Sequence, residues 1–424
     1  MIHPTRAMLL PAAALLLGLP TAAPSQEPAD DRLPAVTEGA TARDLVRGAP
    51  SPIADSTVTL AEVIEIARER NPRVHAARAL ADARDVSRSW AGLLPDPRLQ
   101  LGLMNLSLPG FDASMPSSMA PSIQVTQTIP FPGKLGLEAD IAEHTASIAR
   151  VEADESWWAV RVRVGRAFWD LHTIDWRLDV LRDTKARLED FELAARALYE
   201  AGTGRQTDVL QAQVEVARMS AELARTGAAR TGAVARLNAL LDRPAATPVP
   251  RAVAGALPGE IPPVDTLRAW ADATRPAVLA DRLGVERADV RTERAGREIW
   301  PDFMLGAAYG QRSLDGTTQR MASFMVGFEL PVFAGRRQLR MRDEAEALAA
   351  MARAELAETR ADVDARLGEL VADLERSREL MRIYREEVLP QARITVESAF
   401  ASYRVGAVDF RTLVDAQITL DRYE

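Results

Sequence analysis

Cysteine is absent from the 424 residues, which excludes disulfides, thiolate metal sites and cysteine nucleophiles. Aromatic residues make up only 5% of the chain, while Ala, Arg, Glu and Leu dominate, a bias of long helices rather than of a sheet-rich core. Histidine occurs four times, at His3, His75, His144 and His172, and no two of these share the spacing of a helical zinc motif. No resident metal site is therefore expected, although a metal carried as cargo needs none. The net charge of −8 gives no basic footprint for nucleic acid. Beyond the N-terminus nothing approaches ~18 consecutive apolar residues, so no membrane-spanning helix is expected. Neither catalytic constellation nor cofactor motif emerges, and a secreted enzyme is the weakest reading of the chain.

What the chain does contain is a long internal echo. Tyr199-Glu-Ala-Gly202 returns as Tyr403-Arg-Val-Gly406, and Leu210-Gln-Ala-Gln213 as Val414-Asp-Ala-Gln417, both 204 residues on. Asn71-Pro72 returns as Arg275-Pro276 at the same offset. Thr128-Ile-Pro130-Phe-Pro-Gly133 answers to Glu329-Leu-Pro331-Val-Phe-Ala-Gly335. Each copy holds several different elements, so this is a duplication of a whole unit and not a solenoid repeat.

The expected order of elements follows from composition and period. Residues 1–23 have the basic start, apolar middle and small-residue end of an export signal peptide. Residues 24–56 form a Pro- and Asp-rich irregular arm. The first repeat covers 57–241: a helix capped by Thr59-Leu-Ala-Glu62 and broken at Asn71-Pro72, a β-hairpin over about 97–130, and long helices over 134–200 and 206–241. The turn-rich stretch Pro109 to Pro121 separates the strands, and Arg98 to Leu108 is long enough to cross a bilayer. A Pro-rich linker spans 242–263. The second repeat covers 264–424, with a hairpin over about 302–331 turning at the polar loop Ser313 to Arg320, a long helix over 336–402 and a return helix over 408–424. That return helix is about 20 residues shorter than its counterpart.

Both long helices carry heptad seams, Leu171, Ile174, Leu178, Leu181 and Leu188 in one and Val363, Leu367, Leu370, Leu374, Met381, Tyr384 and Val388 in the other. Pro390 is expected to kink the second. Gly202 and Gly406 are expected to end the long helices in a left-handed conformation. Pro130 with Gly133, and Pro331 with Gly335, mark the passages from strand to helix.

Two hairpins supply four strands, whose open edges would leave backbone groups unpaired in hydrocarbon. Three copies would supply twelve, enough to close around an aqueous pore. A sheet packed on a soluble helical bundle explains the alternation but not strands of membrane length beside such helices.

Gln127-Thr-Ile-Pro-Phe-Pro-Gly-Lys134, Val388-Leu-Pro-Gln-Ala392 and the paired Tyr-x-x-Gly turns, followed by Asp208-Val-Leu210 and Leu413-Val-Asp415, resemble the TolC-type outer-membrane efflux family. The resemblance covers about residues 57–424 in the order of its elements. It implies a mainly α fold with a β-barrel portion: a homotrimer whose 12-stranded barrel in outer-membrane lipid continues into an α-helical coiled-coil barrel. It implies docking to a periplasmic adaptor (membrane fusion) protein and an inner-membrane pump of the resistance-nodulation-division type. The Pro-Phe-Pro-Gly-Lys form looks most like the branch serving heavy-metal cation exporters. The alternative is a periplasmic coiled-coil adaptor or scaffold without a pore.

The same resemblance implies site residues. Asp208 and Asp415, taken as matching positions, Tyr403, and Arg411 with Asp409 as partners of the carboxylates would constrict the periplasmic mouth. A ring of carboxylates there would favour cations. The family's gate arginine falls near Val408 of this chain. Gly202, Gly204, Arg205 and Gly406 would form the tips that meet the adaptor.

Overall fold

The computed structural model describes residues 57–104, 119–255, 259–314 and 317–424. The signal peptide and the arm lie outside these residues, as does most of the Pro109–Pro121 stretch.

Helix α1 (Leu60–Arg70) starts at Thr59, whose hydroxyl accepts from the Glu62 N–H while the Glu62 carboxylate accepts from the Thr59 N–H. This reciprocal cap satisfies two donors that the first turn leaves free. Asn71 then caps α2 (Pro72–Ala91), with proline at a position where no N–H is needed. The buried Asn71 amide also donates to the Leu240 carbonyl at 2.8 Å, tying this corner to a distant helix end. The corner is completed by a feature absent from the periodicity. Strand β1 (Thr57–Val58) pairs in parallel with Arg251–Ala252 inside the Pro-rich linker.

After α2 come β2 (Arg98–Met104) and β3 (Met119–Ile129), then α3 (Lys134–Glu200). With 67 residues, α3 spans roughly 100 Å. Helix α4 (Gln206–Leu240) returns along it, and the linker strand is β4 (Arg251–Ala252). The second repeat supplies α5 (Val264–Thr274), α6 (Pro276–Arg297), β5 (Phe303–Leu314), β6 (Thr317–Phe328) and α7 (Gln338–Ile383). Helix α8 (Leu389–Arg404) and α9 (Phe410–Tyr423) end the described chain. At the kink expected from Pro390 the helix widens into a π-turn over Tyr384–Val388, where proline's missing N–H and ring displace the regular ladder.

The four strands form one antiparallel sheet in the order β2-β3-β5-β6, leaving β2 and β6 as edges. The polar loop expected at Ser313 to Arg320 is instead strand: the ladder runs on through Ser313↔Thr318 and Leu314↔Thr317. Alternating polar residues sustain backbone pairing as well as apolar ones do, and only the apolar band was visible as alternation. Met119–Pro121 likewise belong to β3 rather than to a turn. Strand β2 is described only to Met104, short of Leu108.

The two heptad seams behave differently. Leu171, Leu178, Leu181 and Leu188 are buried within the chain. Of the second seam only Val363 is buried, while Leu370, Leu374, Met381 and Tyr384 are exposed. Asp175 interrupts the first seam and is buried, held by Arg230 at 2.6 Å and by the Ala252 N–H at 3.2 Å, which clamps β4 to α3.

Where strand becomes helix, the repeats lock together. Gly133 adopts φ 90°, and a Cβ there would collide with the Arg297 guanidinium. Lys134 is buried; its ammonium donates to Asp302 at 2.9 Å and the Trp300 carbonyl at 3.1 Å, with Glu298 at 3.4 Å. Asp302 also accepts from the Phe131 N–H at 2.8 Å, and Phe131 stacks on Trp300. Pro130 and Gly133 thus introduce a built junction. Pro331 and Gly335 introduce none within the chain: Gly335 is exposed, without positive φ, and has open space around it.

Replacing the buried ammonium leaves carboxylates without their partner. Lys134→Met should lower stability by about 2 kcal/mol, measured as a fall in the thermal midpoint. Adding Asp302→Asn should recover part of that loss. Additive losses would show that the two groups act independently.

Candidate functional site at the helical tips

The long helices end in matching turns. In the first, the Thr203 N–H donates to the Leu198 carbonyl at 3.0 Å and the Gly202 N–H to the Tyr199 carbonyl at 2.9 Å. In the second, the Ala407 N–H donates to Ser402 at 2.8 Å and the Gly406 N–H to Tyr403 at 2.9 Å. Gly202 (φ 76°) and Gly406 (φ 74°) occupy the left-handed region that such helix ends require. Gly204 is needed for another reason: a Cβ would come within 2.8 Å of the Tyr199 nitrogen.

Leu188, Phe191, Ala212, Val396, Phe410 and Leu413 share one apolar cluster, which fastens the two helical hairpins to each other behind the tips. Tyr403 lies in that cluster, only 4% exposed, with its ring edge-on to Phe410 at 5.3 Å. Its hydroxyl donates to the Asp208 carboxylate at 3.2 Å, a bond between the two repeats. Asp208 sits in the first turn of α4, where the helix N-terminus favours negative charge. Burial, then the adjacent Asp208 charge and the hydrogen bond, push the Tyr403 phenol up to about 12. The protonated donor is thereby held across the physiological range.

A second link is electrostatic. Arg205 and Asp409, 204 residues apart and so equivalent in the two repeats, face each other at 3.7 Å. Their side chains are 77% and 78% exposed, so water screens the pair heavily. Together with Val408 and Tyr403 they line a cleft of about 310 Å³ between the tips.

The 204-residue offset separates the two carboxylates taken as a matching pair. Asp208 and Asp415 are not equivalent: one duplication offset from Asp208 lies Thr412, and from Asp415, Gln211. Asp415 is exposed and faces Arg411 one turn away on the same helix at 3.7 Å. Arg411 therefore partners neither Asp208 nor a neighbouring hairpin in this chain, and Asp409 pairs with Arg205. Tyr403 and Asp208 are brought together; Arg411 and Asp415 form a separate surface pair.

The histidines are scattered. His75 lies beside the Glu69 carbonyl at 2.6 Å, His144 beside Glu286 at 3.6 Å and His172 beside the Ala252 carbonyl at 2.9 Å. Among the described residues no group of three or more His, Asp or Glu side chains could hold a metal ion. No described helix is long and apolar enough to cross a membrane.

The chain matches the model of the family described as outer membrane efflux protein over residues 63–243 and 269–424. No curated protein sequence matches it. Among solved structures, the outer membrane protein VceC of Vibrio cholerae is similar at TM-score 0.70 and 19% identity, over 86% of this chain and 90% of that one. The CmeC outer membrane channel of Campylobacter jejuni is similar at TM-score 0.70 and 13% identity, over 86% and 80%. CusC is similar at TM-score 0.68 and 15% identity, over 86% of each. At these identities the structures share the fold; the family match rests on the sequence and takes in both repeats. This chain belongs to the outer membrane efflux protein family.

Proposed function

We propose that three copies of this chain form the outer-membrane duct of a tripartite efflux assembly, a passive exit from periplasm to exterior. The observation that carries this reading is the sheet. The ladder puts Leu99, Leu101, Val125, Leu305, Phe324 and Val326 on one face, with Gln127 among them, and Gln100, Gly102, Gln124, Thr126, Gly306 and Gly327 on the other, together with Met304, Met321 and Met325. The first face is apolar and open, with Phe324 87% and Val326 67% exposed. Such a sheet suits lipid on one side and water on the other once its edges are closed. The exposed second seam of α7 supports side-by-side packing with further helices in the same assembly.

In this reading the export signal at 1–23 sends the chain through the general secretory pathway. The turns at Gly202–Arg205 and Gly406 meet a periplasmic adaptor. An inner-membrane pump of the resistance-nodulation-division type supplies the energy, and heavy-metal cations are the cargo suggested by the Pro130-Phe-Pro-Gly-Lys134 passage. Tyr403 and Asp208 hold the periplasmic mouth shut by joining the two hairpins at their tips.

A heat-modifiable trimer in the outer-membrane fraction is the expected state; a soluble monomer needing no detergent would replace the channel with the adaptor or scaffold reading. Deleting the gene should reduce tolerance to zinc, cobalt, copper or silver. A defect confined to dyes and antibiotics would remove metal as the cargo.

Removing the inter-hairpin bond should open the mouth. Asp208→Ala and Tyr403→Phe, each losing about 1–1.5 kcal/mol at the tip, should raise single-channel conductance in bilayers, whereas Asp415→Ala should leave it near the wild-type value. Equal effects of all three would remove the assignment.

The elevated Tyr403 pKa fixes the sign of the pH response. A donor whose pKa is raised by folding contributes fully below the unfolded value, and its contribution is lost as pH rises through the folded one. Conductance should therefore be unaffected by this group below about pH 10 and should rise toward pH 12. Tyr403→Phe should abolish that alkaline rise, which conductance recorded across this window will test.

A further inference from the structure

The two hairpins are superposable in register, not merely in order. Arg98↔Thr126 in the first corresponds to Met304↔Gly327 in the second, and Leu101↔Ile123 to Ala307↔Phe324. One pair of offsets, 206 (304 − 98) from β2 to β5 and 201 (327 − 126) from β3 to β6, maps each pair onto the other. The join between the repeats, where β3 meets β5, is therefore a template. Applied once more, it pairs the open edge β6 of one chain with the open edge β2 of the next.

The template specifies this join residue by residue. Within the chain, Thr128 lies opposite Met304, and Gln127 opposite Leu305. The equivalent positions place Glu329 opposite Arg98, and Phe328 opposite Leu99, of the next copy. A carboxylate thus meets a guanidinium, and two apolar side chains meet on the lipid-facing side. Gly327 and Met325 fall opposite Gln100 and Gly102, keeping a small residue against a large one, as Gly306 stands against Met325 inside the chain.

The junction below the strands repeats as well. Lys134, next to Gly133, reaches Asp302 in Pro301-Asp302. Its counterpart is Arg336, next to Gly335, and the counterpart of Asp302 is Asp96 in Pro95-Asp96. Phe333 and Leu94 stand near the places of the stacked Phe131 and Trp300, and both are exposed in the single chain. Arg98, Glu329, Arg336 and Asp96 are all exposed, and none has a side-chain hydrogen bond or ion pair within the described chain. Four unpartnered charges of two signs are thus distributed so that one operation neutralises all of them.

We propose that neighbouring copies of this chain join in a fixed register, β6 against β2, secured by two ion pairs: Glu329 with Arg98, and Arg336 with Asp96 of the next copy. This rests on the trimeric channel reading and adds to it the contacts that set how the copies meet. Cross-strand opposite charges stabilise a ladder, and like charges placed directly opposite destabilise it. A two-residue slip keeps every side chain on its proper face, so hydrophobicity alone does not forbid it. The charges do: the slips bring Glu329 to Gln100 or to Asp96.

The absence of cysteine makes the register measurable, because introduced thiols are the only ones present. Adjacent antiparallel pairs alternate between hydrogen-bonded and non-bonded types, and the latter bring side chains closer. At least one of two double variants, Arg98→Cys with Glu329→Cys or Leu99→Cys with Phe328→Cys, should therefore cross-link the purified protein on oxidation into a heat-resistant trimer on non-reducing gels. The slipped pairs, Gln100→Cys with Glu329→Cys and Leu101→Cys with Phe328→Cys, should not. Cross-linking by the slipped pairs instead, or by neither set in a protein of trimeric mass, overturns the register and leaves the channel reading intact. A monomeric mass before oxidation overturns both. In the cysteine-free chain, Arg98→Glu should abolish the unheated trimer band, and adding Glu329→Arg should restore it. A band unmoved by the single change, or not restored by the second, removes that ion pair.

Discussion

Backbone amides tolerate no vacancy in hydrocarbon, and most of the architecture can be derived from that constraint. A single chain offers a four-stranded sheet with two unpaired edges and a broad apolar face, neither of which can be satisfied alone. Duplication answers half of the problem, since the join between β3 and β5 is made inside the chain. The edges β2 and β6 stay open in the single chain, as does the exposed seam of α7. The clamp of Asp175 on β4, finished within the chain, is a buried carboxylate engaged by both Arg230 and the Ala252 N–H. The open sheet edges and the second seam carry exposed leucines and charges without a partner among the described residues.

The helical tips obey a different logic. There water is plentiful, so an exposed pair such as Arg205 and Asp409 adds little energy. Tyr403 is effective because it is buried: its single hydrogen bond to Asp208 is shielded, anchored by Phe410, and placed where two hairpins meet. It is one neutral-donor bond to a carboxylate, and it joins the two hairpins at a single defined point. Asp415 and Arg411, one turn apart on α9, lack that burial and satisfy each other locally.

Features written in local chemistry were legible in the sequence. The Thr59 cap, the Asn71-Pro72 break, the paired glycine turns and the alternation of the strands each follow from a few adjacent residues. Both heptad seams were legible from spacing alone, but spacing did not tell that the seam of α3 is buried within the chain and that of α7 is largely exposed. Partnerships across long separations were not. Nothing in Lys134 itself announces Asp302, and the two-residue strands β1 and β4 are too short to show a period. The polar ends of β5 and β6 were hidden because alternation is visible only where apolar residues mark one face. Asp208 and Tyr403 were identifiable as individuals, but matching Asp208 with Asp415 mistook similar residues for equivalent positions; the 204-residue offset, applied strictly, separates them.

Arg205 and Asp409 carry one more consequence. They are the same position in two descendants of one ancestral unit, and they now bear opposite charges. Six identical units arranged in a ring would set like charge beside like charge at this point. The two copies joined in this chain instead set Arg205 against Asp409, a meeting of opposite charges that identical tips could not make.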